Sequence, residues 1–189
     1  MTNNYIIAID QGTSATKCVL VDTSGKIVAK AASPLGERYP QSGWVEQDAD
    51  EIWQSAQKAV ALCLEQRPDA KVLAVGLSTQ RESALIWQRA DAKAVTPLLS
   101  WQDQRTVALR DKLASSEAMV RERSGLPLDP MFSALKLCWL LDEIDPGDHL
   151  GHRMLDLQPG VHLDEVELAV LVEELDRPGA GIADLRHRL

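Results

Sequence analysis

Tyr5-Ile6-Ile7-Ala8-Ile9-Asp10-Gln11-Gly12-Thr13-Ser14-Ala15-Thr16-Lys17-Cys18-Val19-Leu20-Val21-Asp22 reads as strand, turn and strand. Two apolar runs each end on a carboxylate, and a short polar turn with one glycine separates them. Runs of Ile, Val and Leu bounded by Gly, Ser and Asp are the hairpin signal. A turn of this composition directs backbone N–H groups and hydroxyls at one point, which suits an anion. A neighbouring carboxylate suits Mg²⁺, which is often held through one or two carboxylates plus substrate phosphates. The spacing is neither GxxxxGK[ST] nor GxGxxG. By pattern alone, a phosphate-binding hairpin and an ordinary hairpin with a polar tip both remain open.

The rest of the chain bounds the answer. Its 189 residues are 45% hydrophobic and 25% charged, a globular composition of about one domain. A net charge of −8 argues against nucleic-acid binding, which needs a basic face. No apolar run reaches membrane-spanning length, and no basic region with an apolar core opens the chain. Cys18, Cys63 and Cys138 each sit among apolar residues without ligand spacing, so free buried thiols in a reducing cytoplasm are expected.

Working outward from the hairpin, residues 26–34 follow Thr23-Ser24-Gly25 as a third antiparallel strand. Asp48 and Glu51 form a capping-box pattern. Ile52, Trp53, Ala56, Ala59, Val60, Cys63 and Leu64 then repeat at helical spacing. Val72–Ser78 fits a buried parallel strand, and its polar end, Thr79-Gln80-Arg81-Glu82-Ser83, is a second place to look for function. Residues 84–87 and 95–101 flank a charged turn as short strands. Helices are expected at 102–115, 116–124 and 133–141. The order β-β-β-α-β is that of the ribonuclease-H-like, actin-like ATPase fold, an α/β class.

Five blocks carry a family resemblance. They are Ala8–Ser14, Gly43–Asp48 with Glu51-Ile52-Trp53, Gly76–Glu82, Trp101–Thr106, and Phe132–Lys136 with Trp139-Leu140-Leu141. In order and spacing they resemble the N-terminal domain of the FGGY carbohydrate kinases, the glycerol kinase and xylulose kinase family, over roughly residues 4–145. The resemblance implies ATP-dependent phosphoryl transfer to a sugar or polyol hydroxyl, with ATP and Mg²⁺ as cofactors. It places Asp10 at the metal, and Gly12, Thr13, Ser14 and Lys17 at the phosphates. It places Arg81, Glu82, Trp101 and Met131 at the substrate. Lys17 also reads as a solvated strand residue, Arg81–Glu82 as a surface ion pair, and Trp101 as core. Gln102, Asp103 and Arg105 read as charged helix-start residues and are assigned no chemistry.

The chain departs from the family at two points. The glycerol kinase branch has a tyrosine where Met131 stands, and methionine cannot donate that hydrogen bond, so a substrate other than glycerol, or glycerol held differently, is expected. The family's catalytic Asp lies beyond this length, as does the second domain. After residue 145 the composition changes: residues 142–189 hold 12 Asp/Glu against 4 Lys/Arg, and Ser, Thr, Asn and Lys are absent from 137 onward. The expectation is an incomplete domain at 1–145 with an atypical acidic tail at 146–189, frameshifted or foreign, and little turnover by the chain alone. The alternative is a non-enzymatic sugar-binding fragment, or a half that complements a separately encoded second domain. Whether it forms a homo-oligomer stays open. His149 and His152 have the spacing to share a helix face, but no third metal ligand accompanies them.

Overall fold

The computed structural model describes residues 3–88 and 93–144. The tail assignments at 146–189, its histidines and its Leu/Val/Glu run lie outside the described residues, as does most of the charged turn at 88–93.

Strand β1 (Asn4–Gln11) pairs antiparallel with β2 (Ala15–Asp22), which pairs antiparallel with β3 (Ile27–Pro34). A two-residue strand, β4 (Glu46–Gln47), precedes helix α1 (Ala49–Glu65), and β5 (Lys71–Thr79) then lies parallel to β1. The sheet order is β3-β2-β1-β5, so the expected β-β-β-α-β arrangement is present. Alternation at period two selects the core: Ile7, Cys18, Leu20 and Ala29 point to one face and are buried. Helix α1 covers that face with Ala59 and Cys63, lying on β2 and β3. Complete burial of a side chain such as Leu20 contributes about 1.5–3 kcal/mol.

Several expectations need correction. Asp48 caps α1 as predicted, its Oδ1 accepting from the amides of Asp50 at 2.9 Å and Glu51 at 3.2 Å. The reciprocal half of the box is absent, because Glu51 instead takes Arg38 Nη2 at 2.7 Å. Trp53 is 53% exposed, because it stands two positions before Ser55, about 200° round the helix from the buried line Ser55, Ala59 and Cys63. Ser55 is inside because its hydroxyl bonds Thr16 Oγ1 and the Ser33 carbonyl. Cys18 and Cys63 are buried free thiols, and burial pushes the Cys18 thiol up to about 12, but Cys138 is exposed.

Strand β5 is not buried. Leu73, Val75 and Leu77 are 41–50% exposed, because α1 stops short of them and β5 is the sheet edge among the described residues. Two small ribbons follow. Strands β6 (Trp87–Gln88) and β7 (Lys93–Ala94) form a short pair around the charged turn, displaced from the expected 84–87 and 95–101 and sharing only Trp87 with them. Strand β8 (Leu98–Leu99) pairs with β4. Helix α2 runs only from Val107 to Lys112, five residues later than expected, and a 3₁₀ turn at Ala114–Ser116 leads into α3 (Glu117–Ser124). Gly125 closes α3 at φ 74°, a left-handed conformation that glycine adopts without steric cost. Helix α4 (Ser133–Ile144) ends the described chain.

Candidate functional site

Parallel pairing of β1 and β5 sets Gln11 opposite Thr79, so both strands end at the same edge of the sheet. Gln80 N–H donates to the Gln11 carbonyl at 2.8 Å, which fixes the segment after β5 beside the β1–β2 turn. Ligands in open α/β sheets bind at such carboxyl ends.

In the turn, Gly12 N–H closes onto the Ala15 carbonyl at 3.1 Å, and a Cβ on Gly12 would lie 3.3 Å from that oxygen. The Ser14 carbonyl accepts from Leu35 N–H, anchoring the turn to the end of β3. Asp10 and Lys17 face each other across β1 and β2, with Nζ 3.8 Å from Oδ2, and both side chains are more than half exposed. An exposed, screened pair at this distance stabilises little, and both groups remain accessible.

Thr13 is the junction. Its Oγ1 accepts from Trp101 Nε1 at 3.0 Å, and its carbonyl accepts from Gln47 Nε2 at 2.7 Å. Gln47 is fully buried and its second amide hydrogen reaches the Gly36 carbonyl at 3.2 Å. Gln80 Nε2 donates to Gln47 Oε1 at 2.8 Å, while Gln80 Oε1 accepts from Ser83 Oγ at 3.1 Å and lies 3.5 Å from Thr13 Oγ1. Trp101 N–H donates to Ser83 Oγ at 3.1 Å, which completes a ring of hydrogen bonds.

Glu82 has φ 65°, the one left-handed non-glycine among the described residues. Such a conformation costs about 1–3 kcal/mol and persists only where surrounding structure imposes it. Here it turns the carboxylate toward the start of α4, where Oε2 accepts from both the amide and hydroxyl of Ser133 at 3.2 Å. Arg81 is exposed and makes no ion pair with Glu82 among the described residues, so the surface-pair reading of these two fails. Trp101 is 38% exposed, an open wall and not core. Met131 is half-buried, with its amide donating to Asp129 Oδ1 and its carbonyl accepting from Lys136 Nζ.

The hairpin, the segment 80–83, Trp101 and the start of α4 are thus joined by named bonds. Gln80 and Ser83 belong to the polar strand end that the sequence marks as a place to look for function, without individual roles, whereas Gln47 and Lys136 are members of this cluster to which sequence reasoning assigned no role. Asp103 and Arg105 also differ from expectation. They precede α2 and do not cap it. Asp103 is fully buried and accepts Val45 N–H at 2.7 Å. Arg105 grips Asp103 at 2.9 Å and Glu46 at 2.7 Å. Its guanidinium lies 3.8 Å from the Trp44 ring centre and 4.8 Å from that of Trp139. This clip ties β4 to α4.

Residues 5–147 match the N-terminal domain model of the FGGY family of carbohydrate kinases. The chain belongs to this family. Among curated relatives, glycerol kinase from Citrifermentans bemidjiense is 42% identical over 145 residues, covering 75% of this chain and 29% of the relative. Glycerol kinase from Ralstonia pickettii is 41% identical over 147 residues. This FGGY chain therefore spans about three-tenths of the length of the curated relatives it matches. Among solved structures, Plasmodium falciparum glycerol kinase with ADP superposes with TM-score 0.70 at 26% identity, covering 74% of this chain and 29% of that one. A ligand-bound xylulose kinase from Lactobacillus acidophilus gives 0.69 at 30% identity, covering 76% and 29%. The fold is the ribonuclease-H-like one, and members of this family are phosphotransferases acting on carbohydrates.

Proposed function

We propose that the FGGY domain seen here supplies one wall of a cleft for ATP-dependent phosphoryl transfer to a hydroxyl of a sugar or polyol. The observation that carries this reading is the Trp101–Thr13 hydrogen bond, which puts a polar glycine turn and an exposed indole face side by side at one strand edge. In this reading Gly12, Thr13, Ser14 and Lys17 receive the ATP phosphates. Arg81, Glu82, Trp101 and Met131 receive the substrate. Trp101 offers an apolar face to the C–H side of a polyol, Glu82 accepts from its hydroxyls and Arg81 donates to them.

The donor set suits Mg·ATP. Asp10 is an accessible hard-oxygen ligand, and no group of three metal-ligating side chains exists among the described residues, so the ion would be held by one carboxylate together with phosphates. When bound, Mg²⁺ neutralises phosphate charge. The chain's part is to fix the turn so that its donors need not reorganise. Met131 in place of a hydroxyl donor favours a substrate other than glycerol. Glu82 is engaged by Ser133, Asp103 by Arg105 and Asp129 by the Met131 amide. None of the described residues is therefore assigned as the base that takes the hydroxyl proton, and residues 1–189 by themselves should bind without appreciable turnover. A cytoplasmic location fits the free thiols and a soluble substrate.

The exposed apolar residues of β5 favour a second reading, in which a separately encoded remainder of the kinase completes the sheet. Titration of residues 1–189 with glycerol, D-xylulose and Mg·ATP, followed by NMR, tests the first reading. Saturable shifts at Trp101 and Gly12 are expected, and no shift with any of the three would refute it. Detectable sugar-dependent ADP release would overturn the assignment of the base to another segment.

A further inference from the structure

The ring through Thr13, Gln47, Gln80, Ser83 and Trp101 has one slack link. Five of its six bonds are 2.7–3.1 Å, but Thr13 Oγ1 lies 3.5 Å from Gln80 Oε1. Thr13 Oγ1 accepts from the indole, so its own proton is the poorly placed one. That proton can rotate to a phosphate oxygen at the turn without breaking any strong bond. The chain indole N–H to hydroxyl O–H to phosphate oxygen would then polarise in one direction, and such chains strengthen cooperatively. A stronger indole bond fixes the Trp101 ring, the surface on which a sugar would rest.

The orientation of the amides is determined. Gln47 Nε2 faces two backbone carbonyls, which only accept, so its oxygen must face Gln80 Nε2. Neither glutamine needs to touch a ligand to hold Thr13 and Ser83 in register with Trp101.

We propose that the Trp101–Thr13 hydrogen bond, held by the Gln47–Gln80 amide pair, couples the two subsites, so that nucleotide phosphates and sugar each tighten the binding of the other. Gln47 and Gln80 are positioning residues for both. This rests on the assignment of the two subsites in the proposed function. Linkage requires the factor to be the same in both directions.

The test measures apparent Kd for Mg·ATP with and without saturating D-xylulose or glycerol, and the reverse, on the full 189-residue chain by NMR titration. The Trp101 indole N–H resonance is followed throughout. The wild type should show a reciprocal factor of about five or more, and Mg·ATP alone should move the indole signal. Thr13→Val, which keeps shape and loses the hydroxyl, should bring the factor to about one, while Thr13→Ser should retain it. Gln80→Leu should reduce the factor with the hairpin resonances otherwise in place, an effect that a purely structural role would not produce. If the wild type binds neither ligand, the subsite assignment fails and the coupling with it. If both bind independently, or Thr13→Val keeps the factor, the coupling alone is overturned.

Discussion

Lys136 Nζ donates to the Pro130 carbonyl at 2.7 Å from a side chain with no solvent exposure. Its second bond goes to the Met131 carbonyl, so one buried cation shapes the loop that carries Met131. Burial lowers the ammonium pKa to about 8, against the opposing pull of Asp103, Glu82 and Asp129. Between about 8 and the ordinary 10.5 the unfolded chain holds a proton that the folded chain has released. Stability should therefore rise with pH across that window, by at most about 1.4 kcal/mol per pH unit. The burial cost is fully present below the window. Urea unfolding of wild type and Lys136→Met at pH 7.5 and 10 checks this. The difference between the two should shift in favour of wild type at the higher pH, and an unchanged difference would refute the shift.

Arg105 is the partner of a carboxylate that has no water around it. Arg105→Ala would leave Asp103 charged and buried, and should cost about 3–5 kcal/mol. Arg105→Lys should recover only part of this, since an ammonium cannot bridge Asp103 and Glu46 while lying flat on Trp44. Denaturant midpoints of the two variants decide it. A loss below about 1 kcal/mol for Ala would mean that the clip is dispensable.

Glu82 pays for its left-handed backbone with a carboxylate aimed at the α4 start. Glu82→Gln keeps the shape and removes the charge. Sugar or polyol binding should weaken at least about ten-fold, roughly 1.4 kcal/mol, with the thermal midpoint moving little. Calorimetric titration beside a melting curve separates these. Equal loss in both would assign Glu82 to folding alone.

Leu73, Val75 and Leu77, on a strand that is the sheet edge among the described residues, predict concentration-dependent association. Leu77→Lys should shift the sedimentation profile of the full chain toward monomer without lowering its unfolding midpoint. An unchanged profile would show that the edge is covered.

The apolar runs at 5–9 and 18–21, parted by a short polar turn, made the hairpin legible, and the two-residue period of a strand then puts Cys18 and Leu20 on one face with Ile7. The Asp48 cap was legible for the same local reason: its bonds reach only two and three residues along the chain. The family blocks were legible as well, since they are strings of residues. Burial of β5 was misjudged because an apolar run records what a strand can cover, not what lies beside it. The roles of Arg105, Lys136 and Gln47 were invisible because each answers to partners far along the chain or to its own depth. An arginine near a helix start and a glutamine at a strand end look solvated in sequence. The sequence by itself determined the hairpin, the first helix and the kinship. Only the tertiary structure decided that the turn and the indole wall touch, because Thr13 and Trp101 are 88 residues apart and meet through the parallel pairing of β1 with β5.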